Sequence, residues 1–593
     1  MNKVKIIQKK SSDIWDLSSL YKEVESAYTD LAILQKADAF KEIESYKGKL
    51  HRGAKTVYAF LKLGEYFDRI FEKLSIYTGI SLQSNVADIK MKTLQNELIA
   101  VEKEFSISTA FFDDEFYSLE DDYLDKIIND KILVDYKIVL TNLKRYKSHS
   151  LKESDALVVS KLSKSLQGYE DIYNELTTVG FKFSKIRVGR KKVEVNHTSI
   201  EALSKNKNRK VREKAHNSYF KLFEDNKNII ASIFARNCEI QIEMSSLTNY
   251  DGVLKRSLYH DDVSIKVYDN LIKSVRQKAI PIFNKLDILY RKKLKIKEYS
   301  PWDKGIFLQN KFDSPSYSYD SAVEIILEAS KVLGDDYVKV LKEGLLNGWV
   351  DKYPRKNKSS GGFHTASYTS TPFIFINYQG YLSDVLTLAH EAGHAMHTYY
   401  SSKNNNFSNH QYTILEAEVV SKVSEKLVYD YLLEHRPKLK AYILESLIKS
   451  FGSSYIGTTM CADFEKDIFT GLEEDKTPSV EYFSGIWLKL FKKYHPSIKP
   501  SKYTELDWMS IPHFYEPFYC YKYSTGVISA WKLAEDIKTP SGLKKYKRLL
   551  SSGGSKFPLA SLKTAGVDLT GESVHKSAIV QLKRYIKEFE KLI

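Results

Sequence analysis

No proline occurs before Pro281 in the 593 residues, and glycine is sparse before Gly180. Proline removes a backbone donor and clashes with the preceding helical turn, and glycine in a helix costs about 1 kcal/mol relative to alanine. A chain that avoids both can carry long uninterrupted helices, and the apolar pattern uses that freedom. In KTVYAFLKLGEYFDRIFEKLSIYTGI, Lys55 to Ile80, and in SAVEIILEASKVLGDDYVKVLKEGLL, Ser321 to Leu346, apolar residues recur three and four apart, as on an amphipathic helix. The expected fold is mainly α-helical, and 43% hydrophobic residues suffice for a large core.

Strand signals are confined to two places. FSKIRVGRKKVEV, Phe183 to Val195, alternates around Gly189 like a hairpin, and helical patterning resumes after it. This places a domain boundary near residue 200, with one domain over 1–200 and a second over 201–593. The other strand-like stretch, GGFHTASYTSTPFIFINYQG, Gly361 to Gly380, is rich in Thr, Phe, Ile and Tyr. It predicts a small sheet just before the motif described next.

Composition narrows the function classes. The net charge of +15 comes from lysines spread along the whole chain and interleaved with acids, as in LKRYIKEFEKL, Leu582 to Leu592. That pattern belongs to solvated helix faces, so no nucleic-acid partner is expected. No apolar run reaches membrane-spanning length, and MNKVKIIQKK is not followed by the apolar stretch of a secretory signal. The expected location is cytoplasmic, away from membranes. Cys238, Cys461 and Cys520 are too few and too scattered for a thiolate metal site, so any metal must use histidine and carboxylate.

LTLAHEAGHAMHTYY, Leu386 to Tyr400, offers such ligands. Residues four apart on a helix lie one above the other, so His390 and His394 can reach one ion. Glu391 is rotated by about 100° from His390 and can stand beside the ion without ligating it. Ser383 is the expected N-cap, and the small Ala392 and Gly393 leave that face open to a substrate. His397 is read as packing or as a support behind the ligands, since adding it to the ligand set would draw the ion off the other two histidines. Two imidazoles are half of a site, because catalytic zinc usually has three protein ligands and one open position. YTILEAEVVSKVSEKLVYDYL, Tyr412 to Leu432, offers Glu416, Glu418 and Glu425, and spacing does not choose among them. The competing reading is two ordinary, partly buried histidines.

A second constellation is MSIPHFYEPFYCYKYSTGVISAW, Met509 to Trp531. In a helical register starting after Pro517, Tyr519 and Tyr523 share a face, with His513 just before them. Such donors can stabilise an oxyanion; the competing reading is an aromatic core cluster.

Taken in order, WDLSSLY from Trp15, DNLIKSV from Asp269, TPFIFINYQGYLSDVLTLAHEAGHAMHTYYS, AEVVSKVSE, IPHFYEPFYCYKYSTG and SSGGSKFPLASLKTAGVDL resemble the M3 family of zinc metallopeptidases, in its oligoendopeptidase F branch. The resemblance implies a two-lobed helical zincin-type fold with a deep channel, an N-terminal domain of the oligopeptidase F type, and one Zn2+ per chain. It implies that Glu418 joins His390 and His394 as a ligand and that Glu391 is the general base. It also implies that His513, Tyr519 and Tyr523 stabilise the transition state and that Glu425 orients a ligand. The expected activity is endopeptidase cleavage of short oligopeptides, with PFIFINYQG as the sheet edge along which the peptide lies. Alternatives are a dipeptidyl carboxypeptidase or carboxypeptidase of the same type, or a non-catalytic peptide-binding scaffold. The sequence departs from its relatives mildly, with EVVSK in place of the usual EVAST.

Overall fold

The periodicity of Lys55–Ile80 becomes a single helix, Ala54–Ser84, in the computed structural model, which describes residues 13–151, 153–166, 168–309 and 316–593. Val57, Phe60, Phe67, Phe71 and Leu74 form its buried stripe, and Phe67 and Phe71 pack on Phe105 of a second long helix, Ile89–Thr109. Each such side chain contributes roughly 1.5–3 kcal/mol on burial. Asp88 caps the second helix by accepting the Met91 N–H at 3.0 Å.

Lack of proline does not make every helix long. Phe111–Ser118 and Asp121–Ile128 are two turns each, and the latter ends at Asn129, whose side-chain amide donates to the Asp125 carbonyl at 2.8 Å. The pattern over Ser321–Leu346 is likewise two helices, Tyr319–Ser330 and Asp335–Leu346. They part at Gly334, whose φ of +99° is costly for any residue with a Cβ.

The described residues form two compact units. The first takes in those up to 150, from 316 to 431 and 533–567; the second takes in those from 151 to 309, 432–532 and 568–593. The expected hairpin lies in the second, with β1 (Lys185–Val188) antiparallel to β2 (Lys191–Glu194). A buried ion cluster also lies there, where Arg209 and Arg212 both bind Asp303.

The sheet of the first unit has three strands in the order β3-β5-β4: β3 (Val350–Asp351), β4 (Phe363–Thr365) and β5 (Phe373–Phe375). β5 runs parallel to β3 and antiparallel to β4. This corrects the expected edge: the apolar run around Phe373–Phe375 is the fully buried central strand, and β3 and β4 are the edges. A strand covered on both sides reads as continuously apolar, so the very signal that identified it as a strand excludes it from the edge. Trp15 packs on the sheet, its ring 5.7 Å from that of Phe375. Beneath the sheet, Lys358 donates to the carbonyls of Asp351, Tyr353 and Ile376 and pairs with Asp351, fixing the loop that leads into β4.

Candidate active site

The motif lies on the helix Leu382–Asn404 of the first unit. Its N-cap is Tyr381 rather than the expected Ser383, because Asp384 turns back to accept the N–H groups of Gln379 at 2.8 Å and Tyr381 at 3.1 Å. A carboxylate that satisfies two N–H groups at the helix start makes the serine hydroxyl unnecessary.

The next helix, Ile414–His435, crosses close to Gly393. A Cβ at Gly393 would meet Ser424 Oγ at 2.6 Å and Ser421 Cα at 2.8 Å. The small side of this residue therefore serves helix contact and not substrate access, contrary to expectation. The approach separates the three glutamates that spacing left equivalent. Glu416 accepts from the Thr413 N–H and hydroxyl at 3.3 Å, so it caps its own helix. Glu425 Oε1 receives a hydrogen bond from His390 Nδ1 at 2.6 Å and another from Lys422 Nζ at 2.7 Å. Glu418 Oε2 is buried with no hydrogen-bond partner and lies 3.9 Å from His390 Nε2.

His390 Nε2 and His394 Nε2 approach to 3.1 Å, and one ligand atom from each of His390, His394 and Glu418 lies within 4.8 Å of the others. An orphaned buried carboxylate oxygen facing two imidazole nitrogens is costly unless a cation compensates it, and the donor set suits zinc. Burial holds the His394 ring well below its ordinary pKa and hence neutral, with a lone pair to offer. At His390 burial acts the same way, but the hydrogen bond and charge of Glu425 outweigh it and raise the pKa. Burial pushes Glu391 up to about 7, opposed by His390 and assisted by Glu418.

These groups line a cavity of about 500 Å³ with Phe363 and His364 of the β4 edge. The His364 ring stacks 5.9 Å from that of His394, and its Nε2 is buried without a partner. Nothing in the local sequence distinguishes His364 from other strand residues. His397 is fully buried and stacks on Tyr412 at 3.5 Å, the packing alternative of the two roles expected of it.

His513, Tyr519 and Tyr523 meet in the second unit, with ring separations of 5.4, 5.6 and 5.5 Å. The register used to pair the tyrosines is corrected: the helix starts at Tyr521, so Tyr519 precedes it. Phe518 takes a left-handed φ of +61°, its N–H donating to the buried Glu465 at 2.6 Å, and this delays helix entry past Pro517.

Residues 202–579 match the model of Peptidase family M3, and residues 115–183 match that of Oligopeptidase F. The chain belongs to peptidase family M3. An oligoendopeptidase F homolog of Borreliella burgdorferi is 31% identical over 98% of both chains, and oligopeptidase PepF of Bacillus subtilis is 27% identical over 98% of this chain and 88% of its own. A solved structure from Chlamydophila abortus superposes with a TM-score of 0.89 at 25% identity, covering 99% of both chains. Oligoendopeptidase-F from Enterococcus faecium shares the fold, with a TM-score of 0.74 at 23% identity over 97% of this chain and 99% of its own. The M3 assignment read from the motifs, the mainly helical fold with a small sheet beside the motif helix, and the class of enzyme, a metalloendopeptidase, all agree with these relatives. Among the described residues of this M3 chain, no helix is long and apolar enough to cross a membrane.

Proposed function

We propose that the protein is a zinc-dependent endopeptidase cutting internal bonds of short oligopeptides in the cytoplasm. The observation that carries this reading is the orphaned Glu418 oxygen facing the His390 and His394 pair, with Glu391 beside it in the same cavity. Zinc held by His390, His394 and Glu418 supplies Lewis acidity that acidifies water and polarises a carbonyl.

Glu391 takes the proton of the attacking water on its carboxylate and hands it to the leaving amine nitrogen. A group that must both accept and release a proton works best when its pKa lies near the working pH, and burial moves Glu391 in that direction, to about 7. Glu425 accepts the Nδ1 proton of His390 and so leaves Nε2 free to ligate. The β4 edge offers backbone groups to an extended peptide, which favours broad sequence tolerance. His513, Tyr519 and Tyr523 carry the role that the resemblance implies, donation to the carbonyl oxygen as negative charge builds on it. The division near residue 200 is supported by the family matches, which end at 183 and resume at 202.

Mass spectrometry of products from peptides of graded length, half of them amidated at the C-terminus, tests the reading. An endopeptidase cuts amidated peptides internally; cleavage restricted to free C-termini would favour the carboxypeptidase alternative. In the same assay Glu391→Gln retains zinc and loses at least about a hundredfold in kcat. Full activity in that variant would sink the role given to Glu391.

A further inference from the structure

Lys422 stands one turn after Glu418 and three residues before Glu425 on the helix Ile414–His435. Its ammonium donates to Glu425 Oε1, the same oxygen that receives the His390 Nδ1 hydrogen bond. The side chain is only 18% exposed, and the carboxylates of Glu418 and Glu391 act on it as well. This is not the loose surface ion pair whose contribution is negligible. It is a cation inserted behind a candidate metal ligand.

We propose that Lys422 is a positioning residue that tunes the metal site through Glu425 and His390. The proposal rests on the zinc reading given above. A carboxylate on the far nitrogen of a ligating histidine raises the basicity of the near nitrogen and tightens its hold on the ion. An ammonium sharing that carboxylate oxygen opposes the effect and keeps His390 closer to a neutral imidazole. With Lys422 present, a dication is balanced by Glu391, Glu418 and Glu425 together with one ammonium, and the site is neutral. Without it, the site carries a surplus negative charge. Lys422 thus weakens the hold on the ion while leaving the ion a stronger Lewis acid.

The test uses the full chain with Lys422→Met, Lys422→Thr and Lys422→Arg. Zinc affinity is read by competition with a chromophoric chelator, folding by thermal unfolding, and the pH profile of kcat/KM on a quenched fluorescent peptide. Met and Thr are expected to bind zinc roughly tenfold more tightly, the effect of removing one charge near a dication through a well-screened medium. They also move the acid limb of the profile to higher pH, while Arg preserves both properties. A purely structural role would loosen zinc and leave the profile in place. A folded Lys422→Met or Lys422→Thr that binds zinc no more tightly than the native chain overturns the proposal. His390→Ala, made with Lys422 intact, separates the two levels: if it keeps stoichiometric zinc, the metal-site reading itself fails.

Discussion

The Nδ1 atom of His390 donates to Glu425 at 2.6 Å, so the ring's other nitrogen is the one presented to His394 and Glu418. The tautomer of a ligating imidazole is set by the hydrogen bond on its far side. Glu425→Gln keeps the size and swaps a charged acceptor for a neutral one. Its zinc affinity is expected to fall by roughly 10- to 100-fold with little loss of fold, as read by chelator competition and circular dichroism. Unchanged affinity would mean that Glu425 only packs.

Glu418 sets stability against function. Its buried Oε2 accepts no hydrogen bond within the protein, and His390 Nε2 stands 3.9 Å away, beyond hydrogen-bond reach, so in the metal-free chain this carboxylate oxygen is left unsatisfied. Glu418→Gln relieves that charge and removes a ligand. The metal-free variant is expected to unfold about 1 kcal/mol harder than the metal-free native chain, while zinc no longer stabilises it. Calorimetry with and without zinc checks both signs, and a metal-free variant less stable than the native chain would contradict the account.

At Gly393 the motif helix and the helix Ile414–His435 approach so closely that no Cβ fits between them. Even a methyl group would press on the Ser421 backbone and on Ser424, forcing the helices apart and carrying Glu418 away from the histidines. Gly393→Ala is expected to cost about 1–3 kcal/mol and to weaken zinc binding together with stability. If stability falls and zinc affinity holds, the helices do not move as one unit.

Much of this is legible in the sequence. Helical periodicity located the long helices because packing and spacing agree there, and the HExxH spacing located the histidines because four residues fix a helical face. The third carboxylate was not readable from spacing, since Glu416, Glu418 and Glu425 differ only in what they meet across a helix crossing, and that crossing is set by Gly393. PFIFINYQG reads as an edge strand but lies at the centre, because apolarity marks the middle of a sheet better than its rim. Nothing in EPFYCY announces the left-handed turn at Phe518 that keeps Tyr519 outside the helix, because that turn depends on Glu465 from a distant helix. Lys422 showed in the sequence only as a departure from a pattern. Its partner oxygen gives the departure physical meaning.

Acid sensitivity follows from histidines far from the motif. His575 is 1% exposed, and its Nδ1 shares a hydrogen bond with the Tyr455 hydroxyl at 2.8 Å. Burial, aided by Lys278, lowers its pKa to about 4 from an ordinary value near 6.5. His216, also buried, is lowered to about 4 by the same cause. Because the folded value lies below the unfolded one, the unfolded chain binds protons first as pH falls. The stability tied to each ring is complete above about pH 6.5 and is lost progressively toward pH 4, at most about 3 kcal/mol per ring. Urea unfolding of the second unit between pH 7.5 and 4.5 should therefore show falling midpoints. His575→Gln is expected to be weaker at pH 7.5 through imperfect packing against Tyr455, yet to lose less stability over the same interval, because glutamine takes up no proton. A variant whose midpoint falls as steeply as that of the native chain would show that protonation of His575 does not contribute to acid unfolding.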